Sequence, residues 1–268
     1  KISFSPNSFK YQNGQLASGN VEILLIEIFT KAEMIRSNKP SNFIGDPNDP
    51  KDDNLLISGG EFYVNAFKNG KELTLDKAAF VRIPTSDPSY NMELFSGTTS
   101  DEIGMDWALI DDSLVTVTYD PEVNNNNNNS GTPFGYEFNF NDLGWINCDQ
   151  FYDDPGTKVR LDISCNGVDS INHRNTCVFV ILPDHNSVGS CNFGGYWDNT
   201  PTWISDGLYH FGNLPAGTDI SLLAVTVINN DYYYSKVNTT ISSNHPHVED
   251  LQMTPTTYSK LNTLIDDL

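Results

Sequence analysis

Residues 20–29 read NVEILLIEIF and residues 61–68 read EFYVNAFK, and these two stretches decide the fold class. The first is almost continuously apolar from Val21 to Phe29, which is typical of a strand covered on both faces. In the second, alternate residues from Phe62 to Ala66 share one apolar face, as in a half-buried strand. Asn69-Gly70 follows, a dipeptide that favours a two-residue hairpin turn. The N-terminal region is therefore predicted to be β-sheet.

The rest of the chain repeats this pattern of short strands separated by Gly, Pro, Asn and Asp. Residues 134–140 alternate aromatic and smaller or polar side chains, and Ile220–Ile228 precedes a second turn at residues 229–231. Two helices are predicted: a short one at Lys31–Ser37, and an amphipathic one at 255–267 that is capped by Thr254. The sequence thus predicts an all-β protein of β-sandwich-like domains with one short C-terminal helix.

An Asn run at 124–129, followed by Ser, Gly, Thr and Pro, is typical of a flexible linker. It predicts a first domain at 1–120, a linker at 121–133 and a second, Ig-like or sandwich domain at 134–268.

Charge and composition exclude several classes of function. The chain has 268 residues, 35 acidic and 15 basic side chains and a formal net charge of −20. We expect no nucleic-acid partner, because phosphate binding needs clustered cations. No stretch reaches the roughly 20 apolar residues of a membrane-spanning helix, so no transmembrane segment is predicted. We expect a monomer.

Four cysteines lie in the second half of the chain, at 148, 165, 177 and 191. Their even number is compatible with two disulfides, and equally with four buried free thiols. Cys165 and Cys177 lie at facing ends of two strands predicted to be adjacent, so they form the best candidate pair. Cys148–Cys191 then follows by elimination.

Two segments contain candidate ligand-binding residues. Asp46, Asp49, Asp52 and Asp53 have the oxygen ligands that Ca²⁺ prefers, although the loop lacks the EF-hand register and is equally consistent with a solvated acidic loop. The aromatic segment Cys191–Tyr209 is consistent with a sugar-binding surface or with rings that close one end of a sandwich. The candidate ligand-binding residues in it are Tyr196, Trp197, Asp198 and Trp203.

No catalytic motif is found in the sequence: it contains no phosphate loop, no nucleophile elbow and no H-E-x-x-H zinc box. The five histidines are interpreted as surface imidazoles. We therefore expect a protein that is not an enzyme and that has no cofactor other than the candidate calcium ion.

Several short motifs together resemble a known group of proteins. The motifs are SFSPNSF at 3–9, SGNV at 18–21, NKP at 38–40, LLISGG at 55–60, GWINCDQF at 144–151 and LPAG at 214–217. They resemble cell-surface proteins and lipoproteins of Bacteroidetes, whose N-terminal region is similar to a ZU5-type β-sandwich. The chain departs from that pattern at Ser41, where the group has Thr, and at 42–53, which look like an insertion.

The resemblance implies export through a removed signal peptide, an extracellular or outer-membrane location and a lipid anchor upstream of Lys1. It implies no reaction. The expected function is that of a structural or adhesion-like binding protein that contacts surface proteins or glycans. The alternative is a secreted polysaccharide hydrolase with two paired carboxylates, a pairing that sequence spacing does not reveal.

Overall fold

The computed structural model describes residues 1–43, 54–100, 104–110, 114–119, 134–152, 154–168, 173–195, 204–244 and 246–268. In this part of the chain most residues belong to strands, and the two α-helices are short. The predicted all-β class is confirmed.

The strands in chain order are β1 (Ile2–Ser3), β2 (Phe9–Lys10), β3 (Glu22–Ile28), β4 (Asn42–Phe43), β5 (Asn54–Lys68), β6 (Lys71–Glu72), β7 (Thr74–Leu75), β8 (Ala79–Thr85), β9 (Glu93–Ser100), β10 (Gly104–Leu109), β11 (Thr116–Tyr119), β12 (Phe134–Phe140), β13 (Gly144–Phe151), β14 (Lys158–Asn166), β15 (Thr176–Leu182), β16 (Ser187–Ser190), β17 (Asn192–Gly195), β18 (Ile204–Pro215), β19 (Asp219–Ile228), β20 (Asp231–Thr240), β21 (His247–Gln252) and β22 (Thr254–Thr256). The helices are α1 (Lys31–Ser37) and α2 (Tyr258–Asp266), and a 3₁₀ turn spans His173–Asn175.

The chain divides into two compact units, each assembled from separate stretches of sequence. The first contains Lys1–Phe29, Ser58–Gly97 and Ala108–Gln150; the second contains Thr30–Ile57, Thr98–Trp107 and Phe151–Leu268. The predicted linker, 121–133, lies outside the described residues and stays a prediction. β12, the strand that follows it, pairs along its whole length with β8 and belongs to the first unit.

The first unit has a core between two sheets. One sheet has the order β1-β8-β12-β11, and the other joins β9, β13, β5 and β3. The buried side chains come from both sheets and include Phe62, Val64 and Ala66 of β5, Val81 and Ile83 of β8, Phe138 and Phe140 of β12, and Ile146 of β13. The alternation predicted for 61–68 and for 134–140 is therefore confirmed.

The second unit has the same layered plan. Its sheets have the orders β17-β18-β14-β21 and β16-β15-β19-β20-β22. Their facing side chains form its core, with Leu161 and Ile163 of β14 against Val178 and Val180 of β15 and Leu222 of β19. Each unit is thus sandwich-like.

Both predicted hairpin turns are present. Asn69 and Gly70 have φ values of 52° and 70°, and they connect β5 to β6 with Lys68 opposite Lys71. Asn229 and Asn230 have φ values of 52° and 69° and connect β19 to β20. Asn and Gly tolerate positive φ better than other residues, and this backbone twist matches that of the flanking strands.

Local capping explains where α1 begins and ends. The Thr30 hydroxyl accepts a hydrogen bond from the Glu33 backbone N–H at 3.2 Å, and the Glu33 carboxylate accepts one from the Thr30 N–H at 3.0 Å. Asn38 ends the helix in the left-handed conformation, with φ 51°. The prediction of a short helix at Lys31–Ser37 is confirmed.

The predicted boundary of the C-terminal helix, 255–267, was wrong at its start. The helix spans Tyr258–Asp266 and is capped by Thr257, whose hydroxyl accepts a hydrogen bond from the Lys260 N–H. The preceding residues, Thr254–Thr256, form β22 and pair with β20. The sheet satisfies the backbone groups that an earlier helical turn would have used.

The structure has the second of the two alternatives for the cysteines: all four are free thiols, and neither candidate disulfide, Cys165–Cys177 or Cys148–Cys191, is formed. Cys165 lies on β14, which pairs with β18 and β21, whereas Cys177 lies on β15, which pairs with β16 and β19. The prediction that these two strands are adjacent was therefore wrong. Burial also raises the pKa of the Cys165 thiol to about 12 and that of Cys191 well above its usual value, so neither forms a reactive thiolate readily.

Two glycines of β5 mark a close approach inside the first unit. A Cβ atom added at Gly59 would lie 2.8 Å from the Cys148 carbonyl oxygen and 2.9 Å from the Tyr136 ring. Gly60 has φ 138°, and a Cβ atom there would lie 2.5 Å from the Phe29 ring. The LLISGG motif thus brings β13 and the Phe29 side chain against a backbone that has no side chains at these positions.

Replacing Gly59 by Ala is expected to destabilise the protein by about 1–3 kcal/mol, because a backbone oxygen is one of the two clashing atoms and cannot rotate away. The free energy of unfolding from urea titration measures this cost. Gly14→Ala serves as a comparison for backbone strain alone, because Gly14 has φ 84°, which disfavours Ala, but no atom within 4 Å of the added methyl group. A Gly59→Ala variant as stable as the wild type would contradict the close approach.

Candidate binding surface

β3 lies at the end of its sheet in the first unit. It pairs with β5 in antiparallel register, from Glu22 opposite Phe67 to Ile28 opposite Glu61. Among the described residues it pairs with no other strand. In an antiparallel pair, alternate residues direct their backbone N–H and C=O groups away from the partner strand. We call the outward side of Glu22–Ile28 the β3 edge.

Four consecutive aliphatic side chains are exposed along the β3 edge. Ile23, Leu24, Leu25 and Ile26 retain 41%, 45%, 41% and 43% of their accessible surface. The expectation that this strand is covered on both faces was therefore wrong. Contiguous exposed apolar residues of this kind commonly mark an interaction site.

The register explains why these side chains stay exposed. Ile23 and Leu25 stand opposite Ala66 and Val64, which are fully buried in the core of the first unit. The core thus ends at β5, and β3 extends beyond it. Only Ile28, at the end of the strand, is buried.

Leu24 and Ile26 lie on the face of β3 that is away from the core, and this face is bordered by polar and aromatic groups. Leu24 stands opposite Asn65, and Ile26 stands opposite Tyr63. The Tyr63 ring packs against the Trp145 ring with centroids 5.2 Å apart. The Asn65 amide donates hydrogen bonds to the Tyr63 hydroxyl, at 3.0 Å, and to the Glu72 carboxylate.

Glutamates flank the exposed aliphatic residues. Glu22 and Glu27 are both exposed, one at each end of the four-residue group. The ammonium group of Lys68, beside the start of β3, donates a hydrogen bond to the Asn20 carbonyl oxygen at 2.8 Å. The β3 edge therefore combines an apolar centre with an acidic group at each end.

An edge of this composition is suited to binding another strand. Backbone donors and acceptors on an edge strand can continue the sheet, and alternate side chains then meet those of the added strand. Proteins usually protect such edges with Lys, Pro or a bulge. Residues 22–28 contain neither Lys nor Pro, and their register with β5 is unbroken.

The ligand-binding residues predicted from the sequence lie elsewhere in the chain. Tyr196, Trp197, Asp198 and Trp203 lie outside the described residues, and so do Asp46, Asp49, Asp52 and Asp53. Within the described ranges no group of three or more His, Cys, Asp or Glu side chains is placed to hold a metal ion. Both site predictions therefore stay predictions.

Two aromatic residues of the predicted sugar-binding segment, Phe193 and Tyr209, are described, and they pack inward. The Phe193 ring stacks on His173 with centroids 4.3 Å apart and meets the Tyr209 ring edge-on at 5.0 Å. Tyr209 is 3% exposed and belongs to the core of the second unit. These two rings help to close the sandwich.

Two of the histidines were wrongly interpreted as surface residues. The His210 side chain is completely buried, and its Nδ1 lies 2.8 Å from the Asp162 carboxylate. Arg160 binds the same carboxylate with two hydrogen bonds, of 2.8 and 2.9 Å. His247 is also buried, and its Nε2 lies 2.9 Å from Glu249.

Comparison with known proteins adds no identification, because the sequence matches no protein-family model and no curated protein. No helix in the described part of the chain has the length and apolar character needed to cross a membrane.

Proposed function

We propose that this protein is an exported, cell-surface binding protein of the adhesion type, which captures an extended segment of a partner protein at the β3 edge. One observation carries the proposal: a seven-residue edge strand exposes four consecutive aliphatic side chains in a protein of net charge −20. The cell-surface location rests on the sequence resemblance, and antibody labelling of intact producing cells tests it.

Strand addition explains the surface better than a soluble-ligand site does. A small-molecule site is a concave pocket that buries most of its ligand. The β3 edge is the margin of a sheet, where side chains on both faces are half-exposed. A partner strand would lie beside β3 in the plane of the sheet, contact the side chains of both faces from the side, and satisfy the outward backbone groups.

Affinity would come from the backbone hydrogen bonds, and selectivity from alternate side chains. A bound strand would place residues against Ile23 and Leu25 on one face and against Leu24 and Ile26 on the other. The partner segment is therefore expected to be apolar on both faces over about four residues, as β3 itself is.

A double variant, Leu24→Lys with Ile26→Lys, is expected to lose at least tenfold in affinity for strand-like peptides. The two lysines would stay solvated in the free protein but would have to be desolvated beside an added strand. Peptides for the measurement are selected from a displayed random library on the immobilised wild type. Their dissociation constants are then compared between wild type and variant.

The matched control is Val248→Lys. Val248 is 58% exposed and lies on β21, the end strand of a sheet in the second unit. Selected peptides should bind this control as they bind the wild type. The proposal is contradicted when the selected peptides lack consecutive apolar residues, or when the double variant binds them with unchanged affinity.

A further inference from the structure

We infer that the segment bound at the β3 edge has four apolar residues flanked on both sides by Lys or Arg, and that it comes from another protein rather than from a second copy of this chain. The inference rests on the proposed function and adds the chemistry of the partner.

The acidic groups at the two ends of the edge face opposite sides of the sheet. Glu22 stands opposite Phe67 and shares a face with Leu24 and Ile26, whereas Glu27 stands opposite Phe62 and shares the core-side face. Glu72, on β6, also stands opposite Phe67, so its side chain lies on the same face of the sheet as that of Glu22. Each face of an added strand would therefore meet a carboxylate at one end.

An antiparallel added strand would place its own residues directly opposite Glu22 and Glu27. Opposite charges in such cross-strand pairs stabilise a sheet, and like charges destabilise it. Since the two glutamates are five positions apart, the complementary segment has cations five positions apart with four apolar residues between them. This spacing is the pattern that the β3 edge selects.

A second copy of the chain fits this edge less well. In a symmetric antiparallel pair of β3 strands, the two-fold axis is normal to the sheet, and directly opposite residues have their side chains on the same face. The residue at the centre therefore stands opposite its own copy, and near the middle of β3 that residue is Leu24 or Leu25. With Leu25 on the axis, Glu27 would stand opposite Ile23 and Glu22 opposite Ile28. Neither glutamate would meet a cation, and two chains of net charge −20 would repel each other.

Three synthetic peptides test the inference. They share four aliphatic residues and differ only in the two flanking residues, which are Lys, Gln or Glu. We expect the Lys-flanked peptide to bind about fivefold more tightly than the Gln-flanked one and more than tenfold more tightly than the Glu-flanked one at low salt. Added salt should weaken the first and strengthen the third.

The Glu22→Gln, Glu27→Gln double variant is the second arm of the test. It is expected to bind the three peptides with similar affinity, because the flanking charges then have no partner on the edge. Both residues are exposed, so the variant should fold as the wild type does, and its melting temperature checks this.

The outcomes separate the inference from the proposed function. Equal binding of all three peptides to the wild type overturns the charge pattern and leaves strand capture intact. No binding by any peptide at about millimolar concentration overturns both. Sedimentation that shows a wild-type dimer, lost in the Leu24→Lys, Ile26→Lys variant, identifies a second copy as the occupant and overturns the inference.

Discussion

An Asp149→Asn variant is expected to be more stable than the wild type above pH 7, by up to about 4 kcal/mol. Asp149 lies on β13 in the first unit and is completely buried. Burial raises its pKa to about 7, although the Ser58 hydroxyl, the Asn147 amide and the Gly59 N–H partly oppose the shift. The Asn147 amide donates to one carboxylate oxygen at 2.5 Å. The folded protein therefore bears an energetic cost whenever this carboxyl group is ionised.

The direction of the pH dependence follows from the two pKa values. The unfolded chain has an ordinary Asp, with a pKa of about 3.9. Between about pH 4 and pH 7 the folded state holds a proton that the unfolded state has released, so this residue makes stability fall as pH rises through that window. Below the window both states are protonated, and above it both are ionised, so the contribution becomes constant at each end.

Urea titrations at several pH values measure the effect. The stability difference between the variant and the wild type should grow by about 3 kcal/mol between about pH 5 and about pH 8. Other ionisable groups titrate in both proteins and cancel in this difference. Asp142→Asn, at an exposed position of the first unit, is the control and should give curves parallel to the wild type. Parallel curves for Asp149→Asn as well would show that this carboxyl group is not desolvated.

An Asp162→Ala variant is expected to destabilise the protein by about 3–5 kcal/mol. Asp162 accepts both hydrogen bonds from Arg160 and lies 2.8 Å from the His210 ring nitrogen. Its side chain is 6% exposed and that of His210 is completely buried. Removing the carboxylate takes away an anion that compensates a largely buried guanidinium group and a partner of a buried imidazole.

The same urea titration measures this loss, with Asp250→Ala as the control. Asp250 lies on the adjacent strand β21, is exposed, and accepts a hydrogen bond from the Ser164 hydroxyl. Its removal should cost about 1 kcal/mol or less. A loss at Asp162 no larger than that at Asp250 would show that the Arg160–Asp162–His210 cluster is solvated in the folded protein.

Elements with a local cause were predictable from the sequence. Asn69-Gly70 forms its hairpin turn because both residues tolerate positive φ, and Lys31–Ser37 begins where a Thr–Glu capping box satisfies its first backbone groups. The alternation in Phe134–Phe140 placed one side of that strand in a core. Each of these features depends on residues within a few positions of each other.

The candidate binding surface was not predictable in this way. The run EILLIEI indicated a strand, and that was right, but a continuous apolar run has the same sequence whether a neighbouring strand covers it or not. The exposure of the run instead reflects its position at the end of a sheet, where β5 is its only neighbouring strand in the described part of the chain. One signal was present in the sequence. Glu22 and Glu27 flank the four aliphatic residues, and charged residues are seldom placed in a strand that is covered on both faces.

The sequence alone therefore determined the all-β class, the hairpin turns and the short helix, because backbone propensity, turn chemistry and side-chain alternation act over short distances. Only the tertiary structure decided that β3 is an exposed edge and that the cysteines on β14 and β15 lie on strands of different sheets. It also decided that Asp149 and Asp162, two of the 35 acidic residues in the chain, are buried. Exposure, pairing and desolvation depend on which strands become neighbours, and that is fixed by contacts between residues far apart in the chain.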